Sequence, residues 1–70
     1  MTTIEKVNYL INKASLTDLS KKMGISTVTI RNKQREKTKY TFGEVALIDI
    51  FYMNQKNAED LIARANELTK

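Results

Sequence analysis

The side chains in this chain that are able to do chemistry are cations, and they are gathered in one place. Between positions 21 and 39 stand Lys21, Lys22, Arg31, Lys33, Arg35, Lys37 and Lys39, against Glu36 as the single acid. Before them Lys6 and Lys13 balance Glu5 and Asp18, and after them the acids are in excess, so the net charge of +4 is concentrated in the middle third. A contiguous block of ammonium and guanidinium groups suits a surface that faces phosphates. Other chemistries lack their side chains. With no histidine and no cysteine, the usual zinc ligand sets and disulfides are ruled out. Without tryptophan, and with carboxylates only scattered, an enzyme site has little to work with, so no catalysis, cofactor or metal is expected. The lack of cysteine suits a reducing cytoplasm. No N-terminal apolar run resembles a signal peptide, and the longest apolar-rich segment, 45–53, is interrupted by Asp49, so no membrane partner is expected.

The elements that must position these cations are helices. The 70 residues hold no proline, no Ser/Gly linker and no repeat, which predicts one domain over 1–70 with a modest core. Thr2-Thr3-Ile4-Glu5 reads as a capping box, and Ile4, Val7, Ile11 and Ala14 recur at helical spacing, predicting a helix over about 3–14. Ser15 caps a second helix whose stripe is Leu16, Leu19 and Met23, with Gly24 at its end. Ser26 opens a third, from Thr27 to about Glu36, whose apolar content is only Val28 and Ile30. Thr41-Phe42-Gly43-Glu44 caps a fourth, and Asn57-Ala58-Glu59-Asp60 starts a fifth with Leu61, Ile62, Ala65 and Leu68 on its apolar side. Val28–Arg31 and Lys39–Phe42 are β-branched or aromatic enough for a two-stranded wing, but the Ser26 cap favours helix. The expected fold class is all-α, a compact bundle of five short helices.

Leu19, Ser20, Met23, Gly24, Ile25 and Ile30 are the informative set. Ser20 is small where a second helix would cross the first, and Gly24 lets the chain reverse. The apolar residues pin the two helices together, which is the pattern of a helix-turn-helix over roughly Leu16–Glu36. The stretch from Leu16 to Val45 resembles the Cro/repressor-like helix-turn-helix regulators of temperate bacteriophages. The likeness rests on Leu19-Ser20-Lys21-Lys22-Met23-Gly24-Ile25-Ser26, the basic helix after it, the Lys-rich loop and Tyr40-Thr41-Phe42. It implies a lambda-repressor-like bundle, often dimeric, whose second motif helix enters the major groove of double-stranded DNA. Carried over by position, Ser26, Thr27, Val28, Arg31, Asn32 and Arg35 would read base edges, and Thr17, Lys21, Lys22, Lys37, Lys39 and Tyr40 would hold the DNA backbone.

Two positions depart from that family pattern. Leu16 stands where many members carry a backbone-clamping Gln, and Lys33 and Gln34 occupy the region where a second large apolar residue usually anchors the recognition helix. Thr41–Ala46 is similar to the opening of a MerR-type domain, but no turn and second helix follow it correctly. The segment 42–52 is apolar on more than one face, and Leu47, Ile50, Phe51, Leu61 and Leu68 form a candidate partner surface for a homodimer or for a partner phage repressor. Three functions follow as expectations. The leading one is a Cro-like operator-binding regulator in a lysis–lysogeny type of switch. The second is an antirepressor that binds a repressor protein with the same fold, and the third is an excisionase-like recombination accessory factor.

Overall fold

Each helix of this chain begins at a short hydroxyl side chain that accepts a hydrogen bond from an otherwise unpaired backbone N–H. In the computed structural model, which describes residues 1–68, Thr2 Oγ1 accepts from the Glu5 N–H at 3.1 Å and Ser15 Oγ from the Asp18 N–H at 3.0 Å. Ser26 Oγ accepts from the Thr29 N–H at 3.1 Å, and Thr41 Oγ1 from the Glu44 N–H at 3.2 Å. The helices so started are α1 (Thr3–Lys13), α2 (Leu16–Met23), α3 (Thr27–Gln34) and α4 (Phe42–Leu68). Two of the caps are reciprocal boxes: the carboxylates of Glu5 and Glu44 accept from the Thr2 and Thr41 N–H at 2.9 and 2.8 Å. No strand forms among the described residues, so the two-stranded wing is absent from them and the chain is all-helical.

All four helices contribute to one core. Val7 and Leu10 from α1, Leu19 from α2, Ile30 from α3 and Ile48 from α4 are withdrawn from water, with Ile11, Leu16, Met23, Ile25, Tyr40 and Phe51 packed around them. A core this small leaves much of the fastening to polar and aromatic contacts. Lys6 donates to Asp49 at 2.8 Å, and the rings of Tyr9 and Tyr52 meet edge to face at 5.3 Å, both joining α1 to α4.

The expectation of five helices is corrected to four: the fourth and fifth are one continuous helix, α4, of 27 residues. Asn57-Ala58-Glu59-Asp60 has the residue types of a helix start, but nothing before it turns the chain. No glycine or proline occurs between Glu44 and Leu68, and an interior asparagine costs at most ~0.7 kcal/mol relative to alanine. Glu59 also ties this stretch to α1, accepting from the Tyr9 hydroxyl and pairing with Lys13 at 3.2 Å. Past that tie α4 runs on alone, with every residue from Asp60 to Leu68 exposed, and the molecule measures 47 × 20 × 18 Å.

Candidate functional site

The α2–α3 connection is three residues, Gly24-Ile25-Ser26, and its geometry follows from their types. Gly24 sits at φ +71°, in the left-handed region, where its N–H donates to the Ser20 carbonyl at 2.9 Å. The Ile25 N–H reaches the same carbonyl at 3.3 Å, and the Ser20 hydroxyl donates to the Ile25 carbonyl at 2.5 Å. Ser20 therefore holds the turn by backbone and side chain at once. Ile25 can then pack on the core while Ser26 caps α3. At its far end α3 closes with Glu36 left-handed at φ +62°, its N–H donating to the Lys33 carbonyl and that of Lys37 to the Asn32 carbonyl. The helix stops at Gln34, two residues before the expected end at Glu36.

At 100° per residue, Thr27, Val28, Arg31 and Asn32 share one face of α3, with Arg35 at the C-cap beyond them, while Ile30, Lys33 and Gln34 share the other. Burial follows that division. Ile30 is fully withdrawn from water and Lys33 is 9% exposed. On the open face Val28 is 60% exposed, Arg31 and Arg35 are exposed, and Thr27 and Asn32 are half-buried. Ser26, at the start of this face, spends its hydroxyl on the cap and on the Thr29 hydroxyl at 2.8 Å.

The expected backbone contacts fall into two groups. Thr17, Lys21 and Lys22 are exposed on α2, and Lys37 and Lys39 on the connection to α4. Lys22 pairs with Asp18 at 3.3 Å, whereas Lys21, Arg31, Arg35, Lys37 and Lys39 enter no ion pair among the described residues. Tyr40 is placed differently. It is half-buried against the core, and its hydroxyl donates to Gln34 Oε1. Burial, with the Glu44 charge beside it, pushes its phenol up to about 12. Of the candidate partner surface, Phe51 packs against the core and Leu47 is half-buried, while Ile50, Leu61 and Leu68 stand open.

Sequence reasoning missed what anchors the underside of α3. Lys33 runs its stem inward and donates to Glu44 Oε1 at 2.5 Å and to the Lys39 carbonyl at 3.3 Å, with the Tyr40 ring 5.7 Å from its nitrogen. Gln34 donates to the Ile4 carbonyl and to Asn8 Oδ1, both at 3.0 Å. A polar clamp thus stands where the family pattern has an apolar anchor, and Lys33 is subtracted from the basic surface. Hydrogen bonds from Lys33 and then from the Thr41 N–H hold the Glu44 carboxyl below its ordinary value of 4.5. The signal available beforehand was the period: Lys33 lies three residues after Ile30, on its face.

Compared with known protein families, curated proteins and solved structures, the chain matches none. Among the described residues no helix is long and apolar enough to cross a membrane.

Proposed function

We propose that this chain is a small DNA-binding transcriptional regulator, Cro-like, with α2 and α3 acting as a helix-turn-helix and α3 lying in the major groove. One observation carries the reading: the face of α3 turned from the core presents Val28, Arg31 and Asn32 together, with Arg35 at the C-cap beyond them, on a helix whose other face is locked by Ile30, Lys33 and Gln34. Each side chain on that face has a base-edge counterpart. Arg grips guanine O6 and N7, Asn grips adenine N6 and N7, and an exposed valine meets the thymine methyl. Lys21, Lys37 and Lys39, unpaired by any acid among the described residues, are the phosphate contacts that set register. The likeness to phage Cro/repressor-type regulators supplies the lambda-repressor-like fold assignment and the setting of a genetic switch.

Gel-shift titration of the full chain against the intergenic DNA beside its own reading frame tests this. A discrete shifted species that survives excess unrelated duplex supports it. The exposed apolar residues Leu61, Ile62 and Leu68 favour a second reading, an antirepressor that binds a repressor protein. Tight co-purification of a repressor, with no discrete shift on any duplex, would favour that reading instead.

A further inference from the structure

The outer half of α4 carries an apolar seam that the described residues of its own chain leave uncovered. Phe51, Asn54, Ala58, Leu61, Ala65 and Leu68 follow one another at intervals of three, four, three, four and three residues. That is the spacing of a helix-pairing seam rather than of a helix buried all round. The seam starts at Phe51, against the core, and opens beside a hollow of about 360 Å³ between α1, α2 and α4, lined by Leu10, Ala14, Leu19, Phe51 and Asn54 among others. It ends at Leu61 and Leu68, 64% and 87% exposed, with Ile62 beside them at 61%.

We propose that the occupant is a second copy of this chain, packed antiparallel along α4. In the register that sets Ala58 opposite Leu61, the same two-fold operation sets Asn54 opposite Ala65 and Phe51 opposite Leu68. A small residue then faces a large one at the centre, and Leu68 of each copy enters the hollow of the other. Such a contact is isologous and closes on itself. In that register Arg64 of one copy stands opposite Gln55 of the other, and the like-charged pair it aligns, Glu59 with Asp60, lies off the seam. Burying Leu61, Ile62 and Leu68 from both copies removes roughly 700 Å² of accessible surface. Ala58, Ala65, the walls of the hollow and the Arg64 stem add to that area, towards the ~1,000 Å² that marks a specific interface. A parallel pair would leave both hollows unfilled and stack alanine on alanine. The proposal does not depend on the DNA-binding reading, and its tests contain no DNA.

Sedimentation equilibrium of the full chain, without nucleic acid, tests it. The expected species has twice the 8.1 kDa chain mass at micromolar concentration, and Leu61→Glu weakens self-association at least a hundredfold. Leu61 lies outside the core, so that variant keeps the near-ultraviolet signal of the folded tyrosines. The chain has no cysteine of its own, which makes single cysteines a test of orientation. A mixture of Ala58→Cys and Leu61→Cys chains is expected to form the mixed disulfide faster than either variant links to itself. A monomer at every concentration would overturn the proposal, and so would a Leu61→Cys chain that links to itself fastest, the mark of parallel pairing.

Discussion

Lys33 on α3 and Glu44 on α4 meet nitrogen to oxygen at 2.5 Å, with only 10% and 18% of their side chains open to water. Glu44 has two tasks, since the same oxygen also accepts the Thr41 N–H that caps α4. One carboxylate thereby fixes where α4 begins and where α3 sits upon it. Removing one partner of so sheltered a pair leaves a charge without its counterpart, at a cost of about 3 kcal/mol, whereas an apolar pair of similar shape is tolerated. Lys33→Ala is therefore expected to lower the urea midpoint steeply. Lys33→Met combined with Glu44→Leu should recover most of the loss, less ~1 kcal/mol for the missing cap. Double-mutant analysis of urea unfolding checks both.

The same pair sets a pH dependence. Because folding depresses the Glu44 carboxyl below 4.5, its stabilisation is complete above that value and is lost as pH falls through the folded value. The stability gap between the wild type and Glu44→Gln should be widest near neutrality and close as pH falls below 4.5 and through the depressed folded value. Thermal melts from pH 3 to 7 measure it; a gap independent of pH would mean the carboxylate charge contributes nothing.

Among the described residues two adopt left-handed backbone, and they predict opposite outcomes. Gly24, at φ +71°, has nothing within 4 Å of a built Cβ, so Gly24→Ala should cost about 1–2 kcal/mol from backbone strain alone. Glu36 holds φ +62° with a side chain attached, and Glu36→Gly should gain about 0.5–1 kcal/mol. It also deletes the only acid within the basic stretch, so the same variant is expected to bind duplex DNA more tightly.

Two of the three tyrosines should titrate late. The Tyr9 phenol is pushed up to about 12, first by its hydrogen bond to Glu59 and then by burial, and Tyr40 is raised as far by burial. Ultraviolet titration should show a major step well above pH 10. Glu59→Gln should return Tyr9 towards its ordinary value of 10 while leaving Tyr40 in place.

What could be read beforehand was local. Thr2, Ser15, Ser26 and Thr41 start their helices with hydrogen bonds to residues three positions on, and Gly24 ends α2 as its missing side chain allows. The same local reasoning divided α4 wrongly. A start signal at Asn57 means a break only where the chain turns, and here Tyr9 and Lys13, some fifty residues away, hold the helix straight through it. The clamp beneath α3 was hidden for a similar reason. Lys33 and Gln34 look like solvent residues until Glu44, Tyr40, Ile4 and Asn8 are brought around them by three other segments. The open face of α3 was legible as a set of positions, and the fold decides which cations remain on it: Arg31 and Arg35, without Lys33.

The central claim is that this face meets DNA, and fluorescence anisotropy with a labelled duplex tests it most directly, across about 50 to 200 mM salt. With Lys21, Arg31, Arg35, Lys37 and Lys39 available to phosphates or bases, log affinity should fall against log salt with a slope of about −3 to −5 per chain. In the same assay Asn32→Ala should lose the preference for the selected duplex over a scrambled one, while Lys21→Ala should weaken both equally and flatten the slope by about 1. A slope near zero, or equal responses to Asn32→Ala and Lys21→Ala, would contradict the account.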